Sequence, residues 1–171
     1  MDRTLKALSL VLSYPTPELQ SAMPEIGGVL ASDTRLTVAA RRALRPLVEE
    51  LAGRDIYSLQ ETYVALFDRS RTLSLSLFEH VHGESRDRGG AMVSLMETYR
   101  AAGFEPVTSD LPAHLPVLLE FLALRPGAEA RSILADAAHI LEALNARLVR
   151  RDSRYGAVLA ALLQLSGATA D

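Results

Sequence analysis

The stretch DTRLTVAARRALRPLVEEL, residues 33–51, decides the fold class. Leu36, Ala40, Leu44, Leu47 and Leu51 recur every three or four residues, so on an α-helix they line one face, while Arg41, Arg42, Glu49 and Glu50 fall largely off it. A half-buried strand would need strict alternation, and this stretch has none. Asp33 reads as the cap that opens the helix, and Pro46 as a point where it kinks.

The same periodicity extends outward in both directions. Leu5, Leu8 and Leu12 share one face of a short first helix, and Thr16-Pro17-Glu18 supplies a capping hydroxyl, a proline at the first helical position and an acid in the first turn of a second. That helix is expected to end near Gly27-Gly28 or Ser32. Asp55 opens a further helix through Ile56, Leu59, Tyr63, Leu66 and Phe67, and residues 68–71 read as a junction. Leu73, Leu75 and Leu77 alternate as in a strand, but no partner strand is visible, so residues 72–81 are read as buried helix. Residues 82–90 read as a polar turn, followed by a helix that carries Met92, Leu95, Met96 and Tyr99 and stops at Gly103. Residues 117–124 are apolar on nearly every side except Glu120, which predicts a central element, and helices over 130–148 and 155–165 complete the pattern.

Composition agrees, because alanine and leucine number 25 and 30 of 171 residues and no β-branched run alternates over a strand length. The expectation is an all-α, single-domain helical bundle over residues 1–171, since the length suits one core and no repeat or linker divides the chain. Absence of cysteine excludes a disulfide framework, a Cys-ligated cluster and a thiol nucleophile. With 18 basic against 21 acidic residues, the net charge of -3 argues against a nucleic-acid partner. Seventeen of the 18 basic residues are arginines, which we ascribe to coding-sequence composition. The apolar residues 7–12 are too few for a signal peptide, and residues 115–124 and 157–165 are too short to span a bilayer, so the chain reads as cytoplasmic with no membrane insertion.

Glu79-His80-Val81-His82-Gly83-Glu84 is the sharpest chemical cluster, because imidazole and carboxylate are good ligands for a divalent metal. On a helix Glu79 shares a face with His82 and His80 with Glu84, so the four converge only if the backbone turns at Gly83. A small helical metal-dependent enzyme using these four stands as one reading. A structural role, with the acids orienting the imidazoles and the following arginines, is preferred, and no metal site is assigned. Arg86 and Arg88 could clamp an anion, although Glu84 and Asp87 beside them favour a self-paired turn. Neither a phosphate-binding glycine loop nor a serine elbow is present. The arginines at 147, 150, 151 and 154 read as exposed helix decoration. Tyr57, Tyr63, Phe67 and Phe78 cluster in sequence, as either core or the wall of a groove for a partner's helix.

Three ordered segments carry a resemblance: residues 63–69 (YVALFDR), residues 77–89 (LFEHVHGESRDRG) and residues 111–122 (LPAHLPVLLEFL), with residues 12–16 (LSYPT) ahead of them. Together they resemble the NarJ-type assembly chaperones of respiratory nitrate reductase, within the wider TorD-like group of redox-enzyme maturation chaperones. The resemblance implies a TorD-like helical bundle without catalytic activity or a stably bound cofactor. Such a protein binds the N-terminal segment of the molybdenum-containing catalytic subunit and assists molybdenum cofactor insertion into that client before membrane attachment, as a monomer or a dimer. It further implies a peptide groove bordered by Phe78, Glu79, His80, His82, Glu84, Arg86 and Arg88 on one segment and by Asp110 and His114 on the other. Tyr63, Phe67, Phe78, Leu115 and Leu119 are the apolar candidates for its wall. The family usually has an acid just before the histidine, where this chain has Ala113, and Asp110 is the nearest substitute. A helical adaptor for a folded redox subunit is the remaining alternative.

Overall fold

The computed structural model describes residues 1–77, 80, 86–104 and 113–167, and for residues 86–93 the backbone alone. Its helices are α1 (Arg3–Val11), α2 (Pro17–Ser32), α3 (Val38–Gly53), α4 (Ile56–Tyr63), α5 (Arg86–Ala101), α6 (Leu115–Ala123), α7 (Gly127–Asp136), α8 (Ala138–Arg150) and α9 (Gly156–Ser166). The all-α expectation holds among the described residues, which contain one isolated β-bridge and no strand.

Short side chains fix where several helices begin. Asp2 accepts from the backbone N–H groups of Thr4 and Leu5, Thr16 from Leu19, Thr37 from Ala40 and Asp55 from Ser58. The cap of α3 is therefore Thr37 and not Asp33. Asp33 is used differently, accepting from Thr4 Oγ1 at 2.6 Å and from Nε and Nη2 of Arg35, whose Nη1 and Nη2 also donate to Asp2. This network ties the start of α1 to the connection between α2 and α3. The α5 helix ends in a Schellman motif, with Phe104 N–H bonded to Tyr99 O, Gly103 N–H to Arg100 O, and Gly103 at φ 77°.

Hydrogen bonds from Arg35 hold the Asp33 carboxyl at about 2, below the usual carboxylate range and against the opposing effect of burial. A depressed carboxyl stabilises the fold above its unfolded pKa and loses that contribution as pH falls through the folded one. Asp33→Asn is therefore expected to flatten the loss of thermal stability between about pH 4 and pH 2 relative to the parent chain. Parallel curves of melting temperature against pH would refute the assignment.

Packing joins α2 to α3, α8 to α9, α1 to α6, and α9 to both α3 and α7. Residues 117–123 are buried except Glu120, as their uniform apolarity predicts, and α9 is buried on nearly all sides too. Two expectations fail on local detail. The helix expected over 130–148 is two helices meeting at Ala137, whose ψ of 0° closes α7, and no glycine or proline marks the break. Residues 86–90, read as a turn, are helical and begin α5.

The buried-helix reading of residues 72–81 is also corrected over the described residues 72–77. Arg71–Leu73 is a single 3-10 turn, after which Ser76 pairs antiparallel with His114. Leu77 N–H donates to Ala113 O at 3.1 Å and Leu115 N–H to Leu75 O at 2.8 Å. Leu73, Leu75 and Leu77 are all buried, Leu73 at the end of the 3-10 turn and Leu75 and Leu77 on extended backbone with a distant partner.

Candidate functional site

A π-helical turn, Val64–Asp68, continues directly from α4. Turns of this kind widen a helix by one residue and rotate the side chains beyond it, and they recur at functional sites. Here the turn leaves Leu66 and Phe67 in the core and Asp68 at the surface. Tyr63, at the junction, is buried and donates its hydroxyl to Leu12 O at 2.7 Å. Its ring packs edge-on against Tyr14 at 5.7 Å and Phe67 at 4.9 Å, and Tyr155 closes the cluster at 5.1 Å from Phe67. The aromatic group is therefore built from Tyr14, Tyr63, Phe67 and Tyr155, and Tyr57, 76% exposed, stands apart from it.

His114 sits half-buried at the N-terminal boundary of α6, held by the backbone bridge to Ser76. Beyond it, Pro116 O accepts from Ser9 Oγ at 2.6 Å, which fastens the start of α6 to α1. These elements leave a cleft of about 260 Å³ lined by Ser13, Tyr14, Tyr63, Asp68, His114 and Pro116. Three segments distant in sequence, residues 12–16, 63–69 and 113–122, meet at this one place. Its chemistry is mixed: a carboxylate, an imidazole, a hydroxyl and two phenol rings, one of them almost half exposed.

Of the residues anticipated for a groove, Tyr63 and His114 line the cleft. Phe67, Leu115 and Leu119 lie behind it in the packed core, at 5%, 0% and 0% exposure, so their contacts are with the chain itself. His80 is engaged elsewhere. Its Nε2 lies 2.7 Å from Ser74 O and its Nδ1 3.4 Å from Arg147 Nη1, and the same guanidinium donates to Thr72 O at 2.9 Å. Both ring nitrogens face protein partners, which removes His80 from a metal-ligand set in this arrangement. Arg147 is accordingly a fastening between α8 and the 3-10 turn, and Arg154 pairs with Glu50 at 2.8 Å, so neither is mere decoration.

Phe78, Glu79, His82, Glu84 and Asp110 lie outside the described residues, as do the side chains of Arg86 and Arg88, whose backbone opens α5. Among the described residues no group of His, Asp and Glu side chains is placed to hold a metal ion. Nor is any helix among them long and apolar enough to cross a membrane. The cleft residues missed from the sequence are Ser13, Tyr14, Asp68 and Pro116. All four belong to the segments quoted above, and only their convergence was hidden.

The helical fold is shared with a solved structure: the chain superposes on a candidate redox enzyme maturation protein from Archaeoglobus fulgidus with a TM-score of 0.66, covering 95% of this chain and 91% of that one at 23% identity. The profile of the nitrate reductase delta subunit family matches residues 33–161, and the chain belongs to that family. Its relatives include the nitrate reductase molybdenum cofactor assembly chaperone NarJ of Escherichia coli K12, 42% identical over 98% of this chain and 71% of that protein. A Bacillus subtilis protein of corresponding name is 32% identical over 94% of this chain and 86% of its own length.

Proposed function

We propose that this chain is an assembly chaperone for respiratory nitrate reductase, acting in the cytoplasm on the molybdenum-containing catalytic subunit through that subunit's N-terminal segment. It holds the client competent for molybdenum cofactor insertion and has no catalytic activity of its own. The observation that carries this reading is the convergence of three family segments on the cleft between Tyr14, Asp68 and His114, in a chain whose relatives bear the name of molybdenum cofactor assembly chaperones.

Size supports a peptide over a cofactor at this place. Small-molecule sites run from roughly 300 to 1,000 Å³ and bury most of their ligand, whereas this cleft, at about 260 Å³, suits an anchoring side chain of an extended or helical segment. The Tyr14 and Tyr63 rings offer apolar contact at low conformational cost, and Asp68 and His114 supply polar discrimination.

Calorimetric titration of the chain with a peptide from the N-terminus of the catalytic subunit tests the reading. Saturable heat is expected, growing more exothermic with temperature as apolar surface is buried. No heat above dilution at any of several temperatures would overturn it. Pull-downs separate an adaptor for folded protein, which would retain full-length and N-terminally truncated subunit equally.

A further inference from the structure

A second groove lies between α2 and α3, and none of its lining is shared with the cleft. It measures about 470 Å³, with Met23, Leu30, Leu44 and Val48 as its apolar floor. Its rim is basic: Arg41, Arg42 and Arg45 line it against a single acid, Glu49. At its mouth Val38 is 54% exposed. We propose that this groove docks an acidic amphipathic helix of a partner protein, independently of the cleft.

Charge and shape together select that occupant. Arg42 and Arg45 are exposed and join no ion pair among the described residues. Arg41 donates one bond, from Nη1 to Ala31 O at 3.2 Å, and its Nε is enclosed without a partner. Guanidinium groups without a protein counter-ion beside an apolar trough ask for carboxylates on a ligand that also carries an apolar stripe. The lining of α3 runs from Val38 to Glu49, about 16 Å at the helical rise, which matches about three turns of a docked helix. A small anion would leave the floor uncovered, and a flat bilayer would meet the helix ridges before the recessed floor.

Two adjacent glycines shape the trough. A Cβ at Gly27 would stand 3.1 Å from Val48 Cγ1, so that glycine sets the close approach of α2 and α3. A Cβ at Gly28 would meet nothing within 4 Å, so that position is open space within the groove. Gly28→Leu should fill the groove without disturbing the core.

The test measures fluorescence anisotropy of the full chain with a labelled leucine–glutamate peptide about three turns long, all glutamates on one face. Controls are a scramble of the same composition, a leucine–lysine counterpart and phosphatidylserine vesicles. The two-faced acidic peptide is expected to bind about tenfold more tightly than either peptide control. Gly28→Leu and the double charge reversal Arg42→Glu with Arg45→Glu should each weaken it by about tenfold, while His114→Ala leaves it unchanged. Circular dichroism checks both variants, and the exposed double reversal decides if Gly28→Leu fails to fold. The proposal is overturned if the scramble binds equally, if the folded variants bind like the parent, or if the double reversal abolishes vesicle binding while the acidic peptide never binds.

Discussion

Leu119→Ala is expected to cost about 3 kcal/mol of folding stability and to lower the melting temperature by roughly 10 °C. The side chain is fully buried in α6, the helix that packs along α1 and is buried on every side but Glu120 between Leu115 and Ala123. Truncation there removes the transfer energy of the lost methyl groups and leaves a cavity that flanking helices, fixed by Ser9 and by the His114 bridge, can only partly close. Exposed Leu124, one residue past the helix, is the internal control: Leu124→Ala should change stability by less than about 0.5 kcal/mol. The same variant separates two roles for Leu119. As a core residue it should leave peptide affinity within about threefold of the parent when measured well below its melting point, a change under 0.7 kcal/mol. A large loss of affinity in a fully folded Leu119→Ala protein would place the side chain against the peptide after all.

Local signals were the legible ones. Thr16 and Asp55 reveal themselves because a cap is satisfied by backbone N–H groups two or three residues away, so sequence order suffices to see it. Asp33 has the same chemistry, but its carboxylate is taken by Thr4, 29 residues earlier, and by Arg35, which also holds Asp2. That competition is tertiary and leaves no periodic trace. The alternation of Leu73, Leu75 and Leu77 is visible but reads as helix, because the partner of this segment, His114, lies 38 positions beyond Ser76. Ala137 shows the opposite failure, a helix break among good helix formers, where α7 and α8 both pack against α9 and α8 also packs on the 3-10 turn at Arg71–Leu73. The candidate site divides the same way. Each segment that lines the cleft carried a readable motif, whereas the π-helical turn that sets Asp68 apart from Phe67 depends on one extra residue in a hydrogen-bond ladder, which composition does not encode.

His114→Ala is expected to weaken binding of the catalytic-subunit peptide by about thirtyfold, the loss typical of an interface residue worth about 2 kcal/mol. The fold should survive, because the bonds that hold this segment run through the backbone of its neighbours, Ala113 O to Leu77 N–H and Leu115 N–H to Leu75 O, and the ring provides no cap to α6. Its half-buried imidazole shares the cleft with Asp68, Tyr14 and Tyr63, so truncation removes both a wall and a polar contact from the place where three segments meet. His80→Ala makes the informative contrast. That ring fastens Ser74 O and Arg147 away from the cleft, so its loss should lower thermal stability while leaving peptide affinity nearly unchanged. Maturation of the nitrate reductase catalytic subunit should fall with His114→Ala in proportion to the lost affinity, and His114→Asn, which keeps a hydrogen-bonding side chain, should restore part of both. If circular dichroism finds His114→Ala unfolded, or if the folded variant binds the peptide as the parent does, the histidine is structural and the cleft loses its principal polar contact.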